Sequence, residues 1–526
     1  MGRNGRLNVA RITPTPFTFK ATLPRKKRMD KPNVILICVD EWRGDCLGAE
    51  GHPYVQTPNL DELAGRGARF RHAYSATPTC VPARVALFTG QSQERHGRVG
   101  YEEGVPFDAV HPVTLQGEFR KAGYQTQAIG KLHVYPERSR VGFDDVILHD
   151  GFLHHARKEH RRDFKFFDDY VPWLRRQPGV SADEEYLDNG VGCNSTVARP
   201  WDKAERLHPT AWAGSQAVEW LYRRDPTRPF FLYLSFHRPH APYDPPVWAM
   251  DMYLDLPAFR RRVGDWEHHY ESVRRDGYHQ LSFGTLPEAV THRARSGYYG
   301  LMTQIDHQLM RVFEALAEFG LADDTVIAFT SDHGEMMGDH DFYRKAVGYE
   351  GSARVPLIVA PAPRDADAVS GAVVDEVVEL RDIMPTLLEL AGVPVPESCD
   401  GKSLLRFVRD SPADAPEPDP WREWLHGEHV YFGQSLQWVT DGHVKYLWAS
   451  EWGSEELFDL DADPDEFHNL VPLPEHAELL KLWKGRLISD LTGREEGFVR
   501  DGELVVGAPV VTMLSNARTL AGAAQP

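Results

Sequence analysis

Short continuous apolar runs recur through the first three quarters of the chain, separated by stretches whose apolar positions return every three to four residues. Residues 34–39 read Val-Ile-Leu-Ile-Cys-Val, a β-branched run with no polar alternation, which predicts a strand buried on both faces. Runs at 125–129, 230–236, 325–330 and 355–360 predict further strands, and helical patterns lie between them, at 114–122 and 379–390 among others. Thr57 at the N-cap, Pro58 in the first turn and Gly65 near the end predict another helix. This alternation predicts an α/β domain over residues 31–410, built on a large, mostly parallel sheet flanked by helices.

The pattern then changes. Residues 410–420 are rich in Pro, Asp and Glu and predict a linker. Runs at 436–440 and 443–448 flank Asp441-Gly442, a hairpin signal, and a helical pattern covers 475–491. A small C-terminal antiparallel sheet with a packed helix is expected over residues 421–495. Residues 496–526, small-residue-rich from Gly507 onward, read as a loosely attached tail. Residues 1–30 are basic, lack the apolar stretch of a secretory signal, and read as a disordered extension.

Composition narrows the function. A net charge of −18 over 526 residues excludes a general binder of nucleic acid or membrane surfaces, so an anionic substrate must be caught by a local basic pocket. No apolar run reaches the roughly 18–20 residues of a membrane span. The cysteines Cys38, Cys46, Cys80, Cys193 and Cys399 are scattered and odd in number, which argues against a disulfide framework and for the cytoplasm.

Polar residues collect where the strands end. Asp40 follows the first run, Lys131 and His133 the second, His237 and His240 the third, Asp332 and His333 the fourth. In open parallel sheets, ligands bind beyond the carboxyl ends of the strands. The segment Cys80-Val81-Pro82-Ala83-Arg84 reads as a helix start, with Arg84 on the same face as Cys80 and Gly90 as a C-cap. A nucleophile there would sit where free N–H groups favour an anion.

With Leu87, Thr89 and Gly90 behind it, that segment resembles the signature C-x-P-[SA]-R…L-x-T-G of the formylglycine-dependent sulfatases, a family of the alkaline-phosphatase superfamily. Asp40-Glu41 and Ser331-Asp332-His333-Gly334-Glu335 resemble the family's metal segments. Gly130-Lys131-Leu132-His133 resembles its G-K-x-H element and Pro239-His240-Ala241-Pro242 its P-H-x-P element. Lys345 stands at the place of its second sulfate-binding lysine. The segment from Glu456 to Leu470 resembles its C-terminal signature, so the likeness covers residues 32–470.

The resemblance implies an alkaline-phosphatase-like fold and a sulfate-ester hydrolase whose Cys80 is oxidised to formylglycine by a maturation enzyme. It implies Cys80, Arg84, His133 and His240 as catalytic residues and Lys131, Lys345 and His240 as sulfate ligands. Asp40, Glu41, Asp332, His333 and residue 80 would hold one divalent metal. Calcium is favoured, while the imidazole of His333 suits Mn²⁺, Zn²⁺ or Fe²⁺ better. Arg84 would stabilise the formylglycine diol, whose oxyanion attacks sulfur. His240 would assist departure of the alcohol, and His133 would act as the base that expels sulfate. Glu41 departs from the commoner Asp, and its longer arm shifts a metal. His237 stays open between a structural and a functional role, and Asp306 and His307 read as supporting groups.

Residues 96–105 match none of the family's patterns. Related phosphonate monoester and phosphodiester hydrolases share the nucleophile, but many carry Tyr and Thr where this chain has Lys131 and His133. A non-catalytic binding protein with unmatured Cys80 would be expected to have lost a ligand or lysine. The substrate is expected to be a small-molecule or saccharide sulfate ester, with its alcohol half met by loops at 151–202 and 242–300. Sheet edges or the tail leave room for a homo-oligomer, with no nucleic-acid or membrane partner.

Overall fold

The first predicted strand, Asn33–Asp40, is buried at every residue because it has parallel neighbours on both edges and a core on each face. Ile35, Ile37 and Val39 enter one apolar core while Val34, Leu36 and Cys38 enter the other. The computed structural model describes residues 30–151, 167–182, 190–257, 259, 261–410 and 419–523. The predicted extension up to residue 29, the linker from 411 to 418 and parts of both predicted loops lie outside them.

The central sheet has eight strands, in the order Asp145–Leu148, Gln125–Gly130, Phe230–Pro239, Asn33–Asp40, Thr325–Ser331, Leu357–Ala360, Ala68–Phe70 and Ala372–Val374. The first five run parallel. Leu357–Ala360 is antiparallel to Thr325–Ser331 and to Ala68–Phe70, so the far edge makes the sheet mixed. That strand begins two residues later than its apolar pattern, directly after Pro356, which has no N–H to give to a ladder.

The predicted helix at 379–390 is divided. Leu380–Asp382 forms a 3₁₀ turn closed by a capping box between Glu379 and Asp382, and Ile383–Leu390 is the α-helix. Thr57 precedes the Pro58–Arg66 helix without capping it, since its hydroxyl donates to Asp61 and accepts from the Gly48 N–H. The cap comes from Asp306, whose carboxylate accepts from the N–H groups of Asn59 and Leu60. Asp306 lies on Glu288–Glu318, a 31-residue helix that takes up the end of the predicted 242–300 loop.

Leu425–Tyr431, Gln434–Thr440, Val444–Ala449 and Glu455–Asp459 form the C-terminal antiparallel sheet, with Asp441-Gly442 at the predicted hairpin. Helix Ala477–Leu491 packs on it through Trp483, Leu487 and Leu491. The other face shares a core with Tyr74, Trp266 and Tyr349 of the larger layer. His429 of this sheet reaches Thr79, the residue before the Cys80 helix, at 2.7 Å.

The tail is not loose. Thr512 and Leu514 exchange backbone hydrogen bonds with Val99 and Gly97, and the helix Ser515–Ala523 buries Ala517 and Ala521 against Val105 and Val110. Small residues, read as looseness in the sequence, allow this close approach.

Candidate active site

Strand ends and one helix start build the site. The register slips between Val39 and Asp40, and Glu41 has φ +73°, a left-handed conformation that a non-glycine residue adopts only under restraint. Its N–H donates to Asp332 and its carbonyl accepts from the Tyr298 hydroxyl at 2.6 Å. At the next strand end Gly130 has φ +97°, and a Cβ there would strike the Ser235 carbonyl. The turn delivers Lys131 and His133, and Asp150 fixes it by accepting from the N–H groups of Leu132 (2.7 Å) and His133 (3.0 Å).

Asp40, Cys80, Asp332 and His333 come together, all buried, with one potential ligand atom of each within 4.8 Å of the others. The His333 Nδ1–H donates to the Gly334 carbonyl at 2.9 Å, which turns Nε2 towards Cys80 Sγ (3.3 Å) and Asp40 Oδ1 (3.5 Å). A ring fixed through one nitrogen and presenting the other is how proteins orient a metal-binding histidine. Glu41, the remaining predicted ligand, is not in this group. Its carboxylate accepts from Lys345 Nζ at 2.9 Å and lies 3.3 Å from His240 Nε2.

The charges favour a cation here. Burial, Asp332 and Cys80 raise the Asp40 carboxyl to about 6, in spite of Lys131. Burial works against ionisation of the Cys80 thiol, but Lys131, Lys345 and His333 outweigh it and bring it down to about 5. Burial opposes charge on His333 as well, yet Asp332 and Cys80 lift it to about 9. Burial first, and then these neighbouring anions, make Asp40 resist ionising, and a divalent ion among them would offset both. Two carboxylates, an imidazole and an oxygen at position 80 would form a donor set fit for such an ion.

Lys131 and Lys345 flank the group. Lys131 Nζ, fully buried, makes a close ion pair with Asp40 Oδ2. Lys345 Nζ donates to Glu41 and lies 2.8 Å from His240 Nε2. Since His240 Nδ1–H donates to the Ala241 carbonyl, its Nε2 is the acceptor. Burial and the Lys345 charge hold His240 well below the ordinary histidine range.

Arg84 is anchored on several sides. Nε donates to Asp332 Oδ2 at 2.9 Å, and one terminal nitrogen reaches the Lys131 carbonyl, the Tyr233 hydroxyl and Ser235 Oγ. The other, NH2, makes no hydrogen bond among the described residues. Arg84 and His133 line a cavity of about 60 Å³ beside Val81. His237 lies with Asp40 and His240 in a second potential ligand group, and its Nδ1 is 2.6 Å from Arg238. His307, the other supporting residue expected, stacks on Trp248.

Sequence reasoning missed Tyr233 and Ser235, which steady Arg84. Their signal was a pair of polar side chains two apart in an otherwise apolar strand, hence on one face.

Comparison with known proteins bears on this arrangement. Residues 32–393 match the family model described as Sulfatase, and residues 338–492 that of the N-sulphoglucosamine sulphohydrolase C-terminal region. The chain is 43% identical over 486 residues to an arylsulfatase of Clostridium perfringens, covering 92% of this chain and 99% of that one. It is 34% identical to a multifunctional alkaline phosphatase superfamily protein, PehA, of Trinickia caryophylli, covering 88% and 95%. Among solved structures, the phosphonate monoester hydrolase of Agrobacterium radiobacter superposes with a TM-score of 0.69 at 28% identity, covering 87% and 95%.

Proposed function

The chain belongs to the sulfatase family, and from that premise we propose that it hydrolyses a sulfate ester, R–O–SO₃⁻, to the alcohol and sulfate through a formylglycine made from Cys80. The observation that carries this reading is the buried group of Asp40, Cys80, Asp332 and His333, with Lys131 and Lys345 beside it. We assign Asp40, Asp332, His333 and the oxygen at position 80 as holders of one divalent metal. The hard carboxylate donors favour calcium, and His333 leaves Mn²⁺, Zn²⁺ or Fe²⁺ open.

When bound, the metal would polarise the sulfate and favour the anionic form of the attacking oxygen. The chain's own groups supply the rest. Lys131 and Lys345 carry fixed positive charge to the equatorial sulfate oxygens, in a site too dry for solvent to screen them. The free donor of Arg84 is available to the diol at position 80, while its other bonds keep Asp332 and the Lys131 turn in place.

His240 is neutral at Nε2 and hydrogen-bonded to the Lys345 ammonium, so this pair supplies the proton that the departing alkoxide takes up. His133 then accepts the proton of the second diol hydroxyl, and the hemiacetal sulfate collapses to the aldehyde with loss of sulfate.

A second reading, hydrolysis of phosphonate monoesters, is favoured by the likeness to the Agrobacterium enzyme. Lys131 and His133 support sulfate, because many phosphonate hydrolases carry Tyr and Thr at these two places. The test is the kcat/KM of the matured protein on 4-nitrophenyl sulfate against 4-nitrophenyl phenylphosphonate, with mass spectrometry across Cys80 from the native host. A preference for the phosphonate would favour the second reading, and an unmodified thiol would remove the mechanism.

A further inference from the structure

Buried arginines in this fold come with a carboxylate. Arg84 has Asp332 at 2.9 Å and Arg238 has Asp244 at 2.8 Å. Arg98 is the exception among the described residues. It is 2% exposed; NH2 donates to the Glu102 carbonyl at 2.6 Å, Nε has no partner, and no carboxylate pairs with the guanidinium. The side chain lines the same cavity as Arg84 and His133, which Val81, the residue after Cys80, also lines. Taking a cation out of water is costly unless an anion meets it.

The acidic side chains of that wall are engaged elsewhere. Glu102 accepts from the Thr512 hydroxyl, Glu103 from the Tyr101 hydroxyl, Asp150 from two backbone N–H groups, and Asp168 from the His149 ring and the Val171 N–H; Glu137 is half-exposed at the edge. The backbone around Arg98 is clamped by the C-terminal segment, through the Val99–Thr512 and Gly97–Leu514 hydrogen bonds and the bridge from Arg98 to Met513. The arginine is therefore held at the cavity rather than left to swing into solvent. Burial lowers it to about 10, as expected of a cation lacking a counter-ion.

We propose that Arg98 is an anion-recognising residue for the alcohol half of the substrate, so that the preferred ester carries a second anionic group, a carboxylate or a further sulfate, beside the sulfate that is cleaved. This rests on the sulfatase reading of the site and goes beyond it, because Arg98 lies in the 96–105 stretch that matches none of the family patterns. A fixed buried guanidinium binds such a group bidentately and rejects a neutral alcohol that leaves it unpaired.

The experiment compares kcat/KM of the matured full-length chain on 3- and 4-carboxyphenyl sulfate with that on phenyl sulfate, for the wild type, Arg98→Gln and Arg98→Lys. The expected wild-type ratio exceeds ten for at least one isomer. The ratio should fall at least tenfold in Arg98→Gln and recover in part in Arg98→Lys. Catechol 1,2-disulfate in the same assay separates a sulfate from a carboxylate preference; a wild-type ratio near or below one for it and for both carboxyphenyl isomers, or an unchanged ratio in Arg98→Gln, overturns the proposal. Should Arg98→Gln not fold, calorimetric binding of 3- and 4-hydroxybenzoate against phenol to the wild type and Arg98→Lys decides it, and equal affinity for acid and phenol counts against it. Failure of the wild type to cleave any of these sulfates counts instead against the sulfatase reading, and the same calorimetry still tests the subsite.

Discussion

Lys345 Nζ sits 2.9 Å from Glu41 Oε1 and 2.8 Å from His240 Nε2, so the Glu41 carboxylate anchors the lysine–histidine pair and lies outside the group around Cys80. Replacing Glu41 by Gln should leave the bound metal near one per chain while lowering kcat about 100-fold, a loss typical of a misplaced charged donor. Asp40→Asn, which removes a donor of the group itself, should lower metal content as well as activity. Elemental analysis of the purified variants beside their kinetics separates the two. Loss of the metal in Glu41→Gln would place this carboxylate back among the ligands.

A serine at position 80 can attack sulfur but has no second hydroxyl from which the ester can collapse. Cys80→Ser should therefore become sulfated once and stop. Intact-mass measurement after incubation with an aryl sulfate should show one added SO₃ per chain, with turnover lost. Repeated turnover at the wild-type rate would remove the diol from the mechanism.

The central strands were legible because a strand buried on both faces leaves a continuous apolar run, as Asn33–Asp40 and Thr325–Ser331 do. The last two strands of the sheet order, Ala68–Phe70 and Ala372–Val374, were not, being three residues long with no period to read. Most of the site could be read from residues at strand ends. The partner of Glu41 could not: Lys345 is 304 positions away, and only the folded packing brings the two side chains together. Arg98 was silent for a related reason, since burial without a counter-ion is a property of the folded packing.

Asp306 does for the Pro58–Arg66 helix what Thr57 was expected to do, accepting from the N–H groups of Asn59 and Leu60 and from Asn59 Nδ2 at 2.7 Å. Asp306→Ala leaves those donors unpaired at a buried helix start and should cost about 2 kcal/mol. Asp306→Asn, which keeps an acceptor, should cost less. Urea unfolding followed by tryptophan fluorescence measures both. Thr57→Val costing more than Asp306→Ala would return the cap to the threonine.

His426 supplies a pH test away from the site. Its Nδ1 lies 2.8 Å from Glu94 and its Nε2 2.7 Å from the Gln437 side chain, with Glu428, Asp490 and Arg494 around the pair. Burial opposes its charge, but Glu94 raises it from 6.5 to about 9. A histidine whose folded value lies above its unfolded one binds the proton more tightly in the native state. Its contribution is complete below about 6.5 and fades as pH rises through 9, amounting to about 3 kcal/mol across that interval. The apoprotein's His333 titrates in the same range, so the measurement is the difference in unfolding free energy between wild type and His426→Gln at pH 6.5 and at pH 9.5. That difference should shrink by about this amount at the higher pH. Parallel profiles across the interval would show that His426 is neutral in the fold and that Glu94 owes its place to Arg494 instead.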